Sequence, residues 1–267
     1  MHSDRIRELT VLPGTNRSGE REGFDRIAIR PGDTISIVGP TGSGKSAFVN
    51  DIEVLAQGDT VTGRRVLVDG RPPAEEMVRD PSRKPIALIT QNTRVIADLT
   101  VSRFLALHIR ARDTDARELA ARTVDLANEF TGEKIAASLR MTSLSGGQTR
   151  SLLIADAILI GQTPILLLDE VENAGICKER VIGCLKEYRK AVIFVTHDPY
   201  IALATGRRIV MRNGAVVAVL EPDGSERELM GRVSGIEAFL RDLREKIRSG
   251  SPVSDEGRGQ AKVAVPA

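Results

Sequence analysis

The chain has 267 residues, 41% apolar and 28% charged, enough for one large domain or two small ones around a sizeable soluble core. Its 38 Lys and Arg nearly balance 36 Asp and Glu, and aromatics reach only 3% with no Trp. That removes the electrostatic case for direct nucleic-acid binding and the platforms for base or sugar stacking. No apolar run reaches the roughly 18–20 residues that span a bilayer. With a polar start and two cysteines, the expected setting is cytoplasmic and reducing.

In chain order, residues 1–22 are polar around a short apolar piece, Leu9–Leu12. Residues 26–30 alternate as Arg-Ile-Ala-Ile-Arg and stop at Pro31-Gly32, a strand and a turn. Residues 34–38 (TISIV) form a β-branched run, the mark of a buried strand. A Gly-rich loop follows at 39–44, then a helix from Lys45 to Gln57. Val66–Val68 before Asp69-Gly70 is a further strand and turn, 72–85 a charged Pro-rich surface loop, and 86–90 (IALIT) a strand. From Thr100 to Phe130 there is no Pro or β-branched cluster, and apolar residues fall at Val101, Leu105, Leu119, Val124 and Ala127. This spacing predicts two amphipathic helices, the second capped within Asp113-Thr114-Asp115. Strands return at 165–168, 191–196, 208–211 and 215–220, the last two joined by Asn213-Gly214, with helices at 177–190, 199–205 and 235–248. Short apolar strands alternating with helices predict a mainly parallel sheet covered on both faces. The residues from Gly250 onward read as a disordered tail, and 1–249 as a single domain.

Three segments carry chemistry. Gly39-Pro40-Thr41-Gly42-Ser43-Gly44-Lys45-Ser46 fits the phosphate-loop pattern G-x-x-x-x-G-K-[ST], with a strand before it and a helix after it. Glycines let backbone N–H groups wrap phosphate oxygens, and the helix start adds partial positive charge. Lys45 then reaches the β- and γ-phosphates and the Ser46 hydroxyl binds Mg²⁺. The strand 165–168 runs into Asp169 and Glu170, one carboxylate for the magnesium shell and one to polarise an attacking water. Leu144-Ser145-Gly146-Gly147-Gln148 precedes a long apolar helix, so its serine and glycines form a second anion site at a helix start.

Together these motifs resemble the ATP-binding cassette ATPases over about residues 20–222. Gly39–Ser46 is similar to their Walker A loop, Ile165–Asp169 to the Walker B strand, and Leu144–Gln148 to the signature motif. Gln91 resembles the Q-loop glutamine that touches metal and attacking water. Glu170 matches the catalytic glutamate and His197, in Thr-His-Asp, the switch histidine. The resemblance implies an α/β P-loop fold of the ABC type: a mainly parallel sheet core, an antiparallel β subdomain, and a helical subdomain at about 98–160. It also implies ATP and Mg²⁺, the latter held by Ser46, Gln91 and Asp169. A head-to-tail homodimer is implied, in which Ser145, Gly146 and Gly147 complete the partner's site.

The sequence departs from the family pattern at Val171–Ile176, where the usual D-loop text is missing, and at Asp156, where an Arg is common. No aromatic stands ready for adenine, which is expected to rest on an aliphatic or Arg side chain such as Arg17. Cys177 and Cys184 read as buried or partly buried thiols. The leading functional expectation is the ATPase subunit of a transporter, docking on membrane permease subunits through Thr93–Phe104. The alternative is a soluble ATPase that remodels a partner protein complex. The 98 residues between Ser46 and Ser145 leave no room for the long coiled-coil insertion of a DNA-repair ATPase.

Overall fold

The computed structural model describes residues 6–80, 83–112, 117–161, 163–170 and 176–253. The predicted caps around Asp113 and the D-loop residues 171–175 lie outside these, as does the tail from residue 254.

Up to Pro222 the chain forms one compact unit, built on a six-stranded sheet. Strands β3 (Thr34–Val38), β5 (Ile86–Ile89), β6 (Ile165–Asp169), β7 (Ala191–Val195), β8 (Arg207–Arg212) and β9 (Ala215–Leu220) lie in the order β5-β6-β7-β3-β8-β9. All neighbours are parallel except β8–β9, an antiparallel hairpin turned by Asn213-Gly214 with both residues at positive φ. The central strand β7 (AVIFV) is buried at every position, and β6 (ILLLD) at all but its last. Their continuous apolar text follows from burial on both faces. The two polar side chains inside β3 are satisfied. Ser36 accepts a bond from the Thr205 hydroxyl at 2.9 Å, and Thr34 accepts from the Gly206 N–H at 2.9 Å.

A second sheet is antiparallel, in the order β2-β1-β4, with β1 Leu9–Leu12, β2 Ile27–Ile29 and β4 Arg65–Val68. Leu9–Leu12, a short apolar piece in the sequence, is thus its middle strand, because both its edges find partners. Helix α1 (Lys45–Glu53) stops four residues earlier than expected. Leu55 adopts a left-handed φ of 55°, and the Gln57 side-chain amide turns the chain back by donating to the carbonyls of Leu55, Ala56 and Val66. Residues 72–85 are not all loop, since Glu75–Arg79 make an exposed helical turn, α2.

The helical region contains α3 (Val101–Ala111), α4 (Arg117–Phe130) and α5 (Gly146–Leu159). Thr100 caps α3 by accepting from the Arg103 N–H. Asp156 on α5 meets His108 of α3, with Oδ2 and Nδ1 2.8 Å apart. The position where the family favours Arg therefore holds a side chain paired across this region. Helices α6 (Lys178–Glu187) and α7 (Pro199–Ala204) follow β6 and β7. Both cysteines are free thiols. Cys184 is buried and its pKa is pushed up to about 11 by desolvation, as expected of an inert core thiol.

Helix α8 (Gly224–Arg248) belongs to a separate unit and starts eleven residues before the expected helix. Asp223 caps it by accepting from the Glu226 N–H at 2.9 Å. The interior glycines Gly231 and Gly235 weaken the helical text by about 1 kcal/mol each without ending the helix. Among the described residues no helix is long and apolar enough to cross a membrane.

Candidate active site

The phosphate loop leaves β3 and enters α1 at the carboxyl edge of the parallel sheet, where ligands of such sheets bind. Its glycines divide by task. A Cβ on Gly39 would stand 2.3 Å from the Met211 carbonyl oxygen, and one on Gly44 2.8 Å from the Gly214 Cα. These two let the β8–β9 hairpin press against the loop, and the Gly214 N–H donates to the Ser43 carbonyl at 2.8 Å. Gly42, at φ 78°, faces open space instead. Pro40 and Thr41 are exposed at the loop's tip. Lys45 is 8% exposed and donates to the carbonyls of Gly39 at 2.7 Å and Pro40 at 3.1 Å. Desolvation lowers its pKa, opposed by the charges of Glu170 and Asp169. The Ser43 hydroxyl is buried with no hydrogen-bond partner, and the Ser46 hydroxyl is exposed. The loop therefore holds an ammonium, an unpartnered hydroxyl and an accessible one where an anion would sit.

Two neighbouring strands bring the acid–base groups. Asp169 ends β6 opposite Val195 of β7. Glu170 follows at a φ of 48°, unusual for a residue with a Cβ, and its N–H donates to the Val195 carbonyl at 3.0 Å. That backbone pairing outlasts the strand and aims the carboxylate at His197, whose Nε2 lies 3.6 Å from Glu170 Oε1. His197 is fixed from both sides. The Thr196 N–H donates to the Ile37 carbonyl at 3.2 Å, and Asp198 caps α7 through the Ile201 N–H at 3.1 Å. Glu170 and His197 thus face each other, their side chains 34% and 51% exposed.

Gln91 is exposed in a turn after β5, and its carbonyl accepts from Arg150 Nη2 on α5 at 2.8 Å. The same guanidinium would lie 3.1 Å from a Cβ on Gly146. A second tie joins the regions where the Met141 N–H donates to the Leu99 carbonyl at 2.9 Å. At the start of α5, Ser145 and Gln148 form a reciprocal cap: the Ser145 hydroxyl accepts from the Gln148 N–H, and Gln148 Oε1 accepts from the Ser145 N–H. Gln148 is buried and also donates to the Lys134 carbonyl, so its side chain is committed to the cap. Ser145 and Gly146 are exposed, and Gly147 is half-buried.

Sequence reasoning missed Arg150. It also missed Arg64, which is fully buried. Arg64 donates to both Glu22 oxygens at 2.7 Å, to Asp51 Oδ2 at 3.0 Å and to the Gly214 carbonyl at 2.8 Å, and lies over the Phe48 ring. It thereby clamps α1 and the β8–β9 turn, the two supports of the phosphate loop. No local pattern marks such a residue, because its partners are up to 150 positions away. Arg17, expected beneath adenine, has its Cγ 3.0 Å from where a Gly214 Cβ would be, and its N–H donates to the Asn213 carbonyl. It stands beside the turn that supports Gly44.

A family profile described as ABC transporter matches residues 25–173. An uncharacterized ABC transporter ATP-binding protein of Methanocaldococcus jannaschii is 43% identical over 251 residues, covering 94% of this chain and 96% of that one. The zinc import ATP-binding protein ZnuC of Ruegeria pomeroyi is 31% identical over 208 residues, covering 74% and 71% respectively. A solved dimeric ATP-binding cassette in a post-hydrolysis state, bound to ADP and phosphate, aligns with a TM-score of 0.62 at 26% identity over 81% of this chain and 99% of its own. With the phosphate loop, the strand-end carboxylates and the capped signature helix in the family's order, the chain belongs to the ATP-binding cassette family, as an ATP-binding and ATP-hydrolysing subunit of the ABC transporter type.

Proposed function

We propose that two copies of this protein close head to tail around two ATP molecules and drive transport through separate membrane permease subunits. Each ATP lies between the Gly39–Ser46 loop of one copy and Ser145, Gly146 and Gly147 of the other. Lys45 leaves the Gly39 and Pro40 carbonyls for the β- and γ-phosphates. Glu170 orients the attacking water, and His197 contacts the γ-phosphate. The oxygen donors of Ser46, Asp169 and Gln91 suit Mg²⁺: they include one carboxylate, and no cluster of three His, Cys, Asp or Glu exists among the described residues. Such a set fits an ion completed by phosphate and water oxygens. When bound, the ion supplies charge neutralisation across the β- and γ-phosphates.

The observation that carries the transport reading is the surface between Gln91 and Phe104. It is tied to the signature helix through Arg150 to Gln91 and to the turn before that helix through Met141 to Leu99, yet exposes Ile96 at 93%. An apolar side chain on a segment wired to both ATP-contacting loops is suited to receive a permease subunit, and implies a peripheral position at the inner membrane face. Nothing in the relatives favours the soluble remodelling alternative. The test is Glu170→Gln at native level in its own cells, lysed without detergent, with ATP and Mg²⁺ added. Sedimentation with membranes together with a multi-span protein is expected, and release of both by Ile96→Asp. A soluble complex lacking any membrane protein would overturn the transport role while leaving the ATPase intact.

A further inference from the structure

Helix α8 carries a pattern that the nucleotide cycle does not use. Apolar residues stand at Leu229, Val233, Ile236, Leu240, Leu243 and Ile247, spaced four, three, four, three and four. That is an unbroken heptad a/d series with Val233, Leu240 and Ile247 at a and Leu229, Ile236 and Leu243 at d. The helix spans 25 residues and none of them is buried. Leu229, Ile236 and Ile247 are 43%, 53% and 61% exposed. Both interior glycines fall on the outer positions, Gly231 at f and Gly235 at c, away from this seam.

We propose that α8 pairs with α8 of a second copy as a parallel two-stranded coiled coil, holding the protein as a dimer without nucleotide. Charge complementarity identifies the occupant and its direction. In a parallel pair each g residue faces the e residue five positions on in its partner. Arg232 then meets Glu237, and Phe239 meets Arg244, an ion pair and a cation–π contact. In an antiparallel pair g faces g and e faces e. The nearly symmetric arrangement would oppose Glu237 to Glu237 and Arg232 to Lys246, which repel. Two of the three a/d layers, Leu229 with Val233 and Leu243 with Ile247, pair a β-branched a residue with Leu at d, the choice that favours two strands. The helix contains six basic and five acidic residues, a balance that suits a mixed-charge coil and not an anionic lipid surface.

The seam covers fewer than three heptads, so it is a modest association by itself. Joined to a cassette that dimerises around ATP, it becomes effective. Two associations carried on one chain favour each other, because the second becomes intramolecular once the first has formed. The two copies then re-form around fresh ATP without searching for each other.

The test is sedimentation equilibrium of the full-length protein without nucleotide, from about 1 to 100 μM. A dimer is expected, and Ile236→Asp with Leu240→Asp is expected to weaken it at least tenfold. In the Glu170→Gln background the same double variant must still dimerise on adding ATP, which shows that the cassette remains folded. Arg232→Glu should weaken the nucleotide-free dimer, and adding Glu237→Arg should restore it. A monomer at 100 μM, a dimer indifferent to the double Asp variant, a trimer or tetramer, or binding of the monomer to anionic vesicles through this face would each overturn the proposal. None of these outcomes bears on the ATP-dependent dimer, whose failure the Glu170→Gln arm detects separately.

Discussion

At the residue scale, the catalytic argument rests on a few side chains whose environments differ. Lys45 is desolvated and held by two carbonyls of its own loop, bonds that the proposed mechanism exchanges for phosphate oxygens. Lys45→Ala removes charge-assisted bonds of about 1.5–3 kcal/mol, and ATP affinity should fall about 10- to 100-fold in a calorimetric titration. Glu170 does different work. Its strained φ of 48° and its backbone bond to Val195 set its direction. In the proposed mechanism Glu170→Gln keeps the shape and removes the base. Single-turnover assays should show ATP bound with near wild-type affinity and hydrolysis slowed at least about 100-fold. Wild-type turnover in this variant would remove Glu170 from the mechanism.

At the element scale, the interest lies in what joins α5 to the rest. The Arg150 guanidinium reaches from the signature helix to the Gln91 carbonyl, and burial lowers its pKa below the usual guanidinium value. It is a positioning residue, because its contact is with the loop that carries Gln91. Arg150→Ala should lower kcat several-fold while leaving the KM for ATP nearly unchanged, with Arg150→Lys recovering part of the loss. A change confined to KM would argue against this role. The elements were legible where local text decided them. The continuous apolar text of β3, β6 and β7 follows from burial on both sides, and the Ser-Gly-Gly-Gln start of α5 is a capping box in one line of sequence. Legibility failed where an element depends on distant partners. Leu9–Leu12 is a strand because β2 and β4 flank it, and α1 ends at Glu53 because Gln57 bonds to Val66. The start of α8 was hidden by glycines that its outer face tolerates.

At the scale of the whole molecule, Arg64 is the central tie. It joins Glu22 near the amino end, Asp51 on α1 and Gly214 at the β8–β9 turn. Arg64→Met leaves two buried carboxylates without their cation, a loss of about 3–5 kcal/mol. At roughly 2–4 °C per kcal/mol for a unit of this size, the melting temperature should drop by about 6–20 °C. Adding Glu22→Gln and Asp51→Asn should cost less than further independent losses, since the partners act together. The same network sets an acid limit. Burial of Glu22 alone would raise its pKa, but the bonds from Arg64, Val216 and Gly14 outweigh it and hold the carboxyl below its ordinary 4.5. An unfolded chain then takes up this proton first. The stabilisation is full above about pH 4.5 and drains away as pH falls through the lower folded value. Denaturant midpoints measured between pH 7 and 3 should show this loss, and Glu22→Gln should flatten it.

The sequence alone determined the family and the local motifs that mark it. The spacing of Gly39–Ser46, the strand-end Asp169 and Glu170, and the capped Ser145–Gln148 are local patterns, because a phosphate cradle, a strand end and a helix start are each built within a few residues. Only the tertiary structure decided what supports that chemistry: the hairpin beneath Gly39 and Gly44, the Arg64 clamp, and the Arg150 link to Gln91. Arg150 and Gln91 are 59 positions apart and Arg64 and Gly214 are 150 apart. Their side chains carry no periodic or compositional mark, since what selects them is the shape and charge of a neighbour that folding alone brings near.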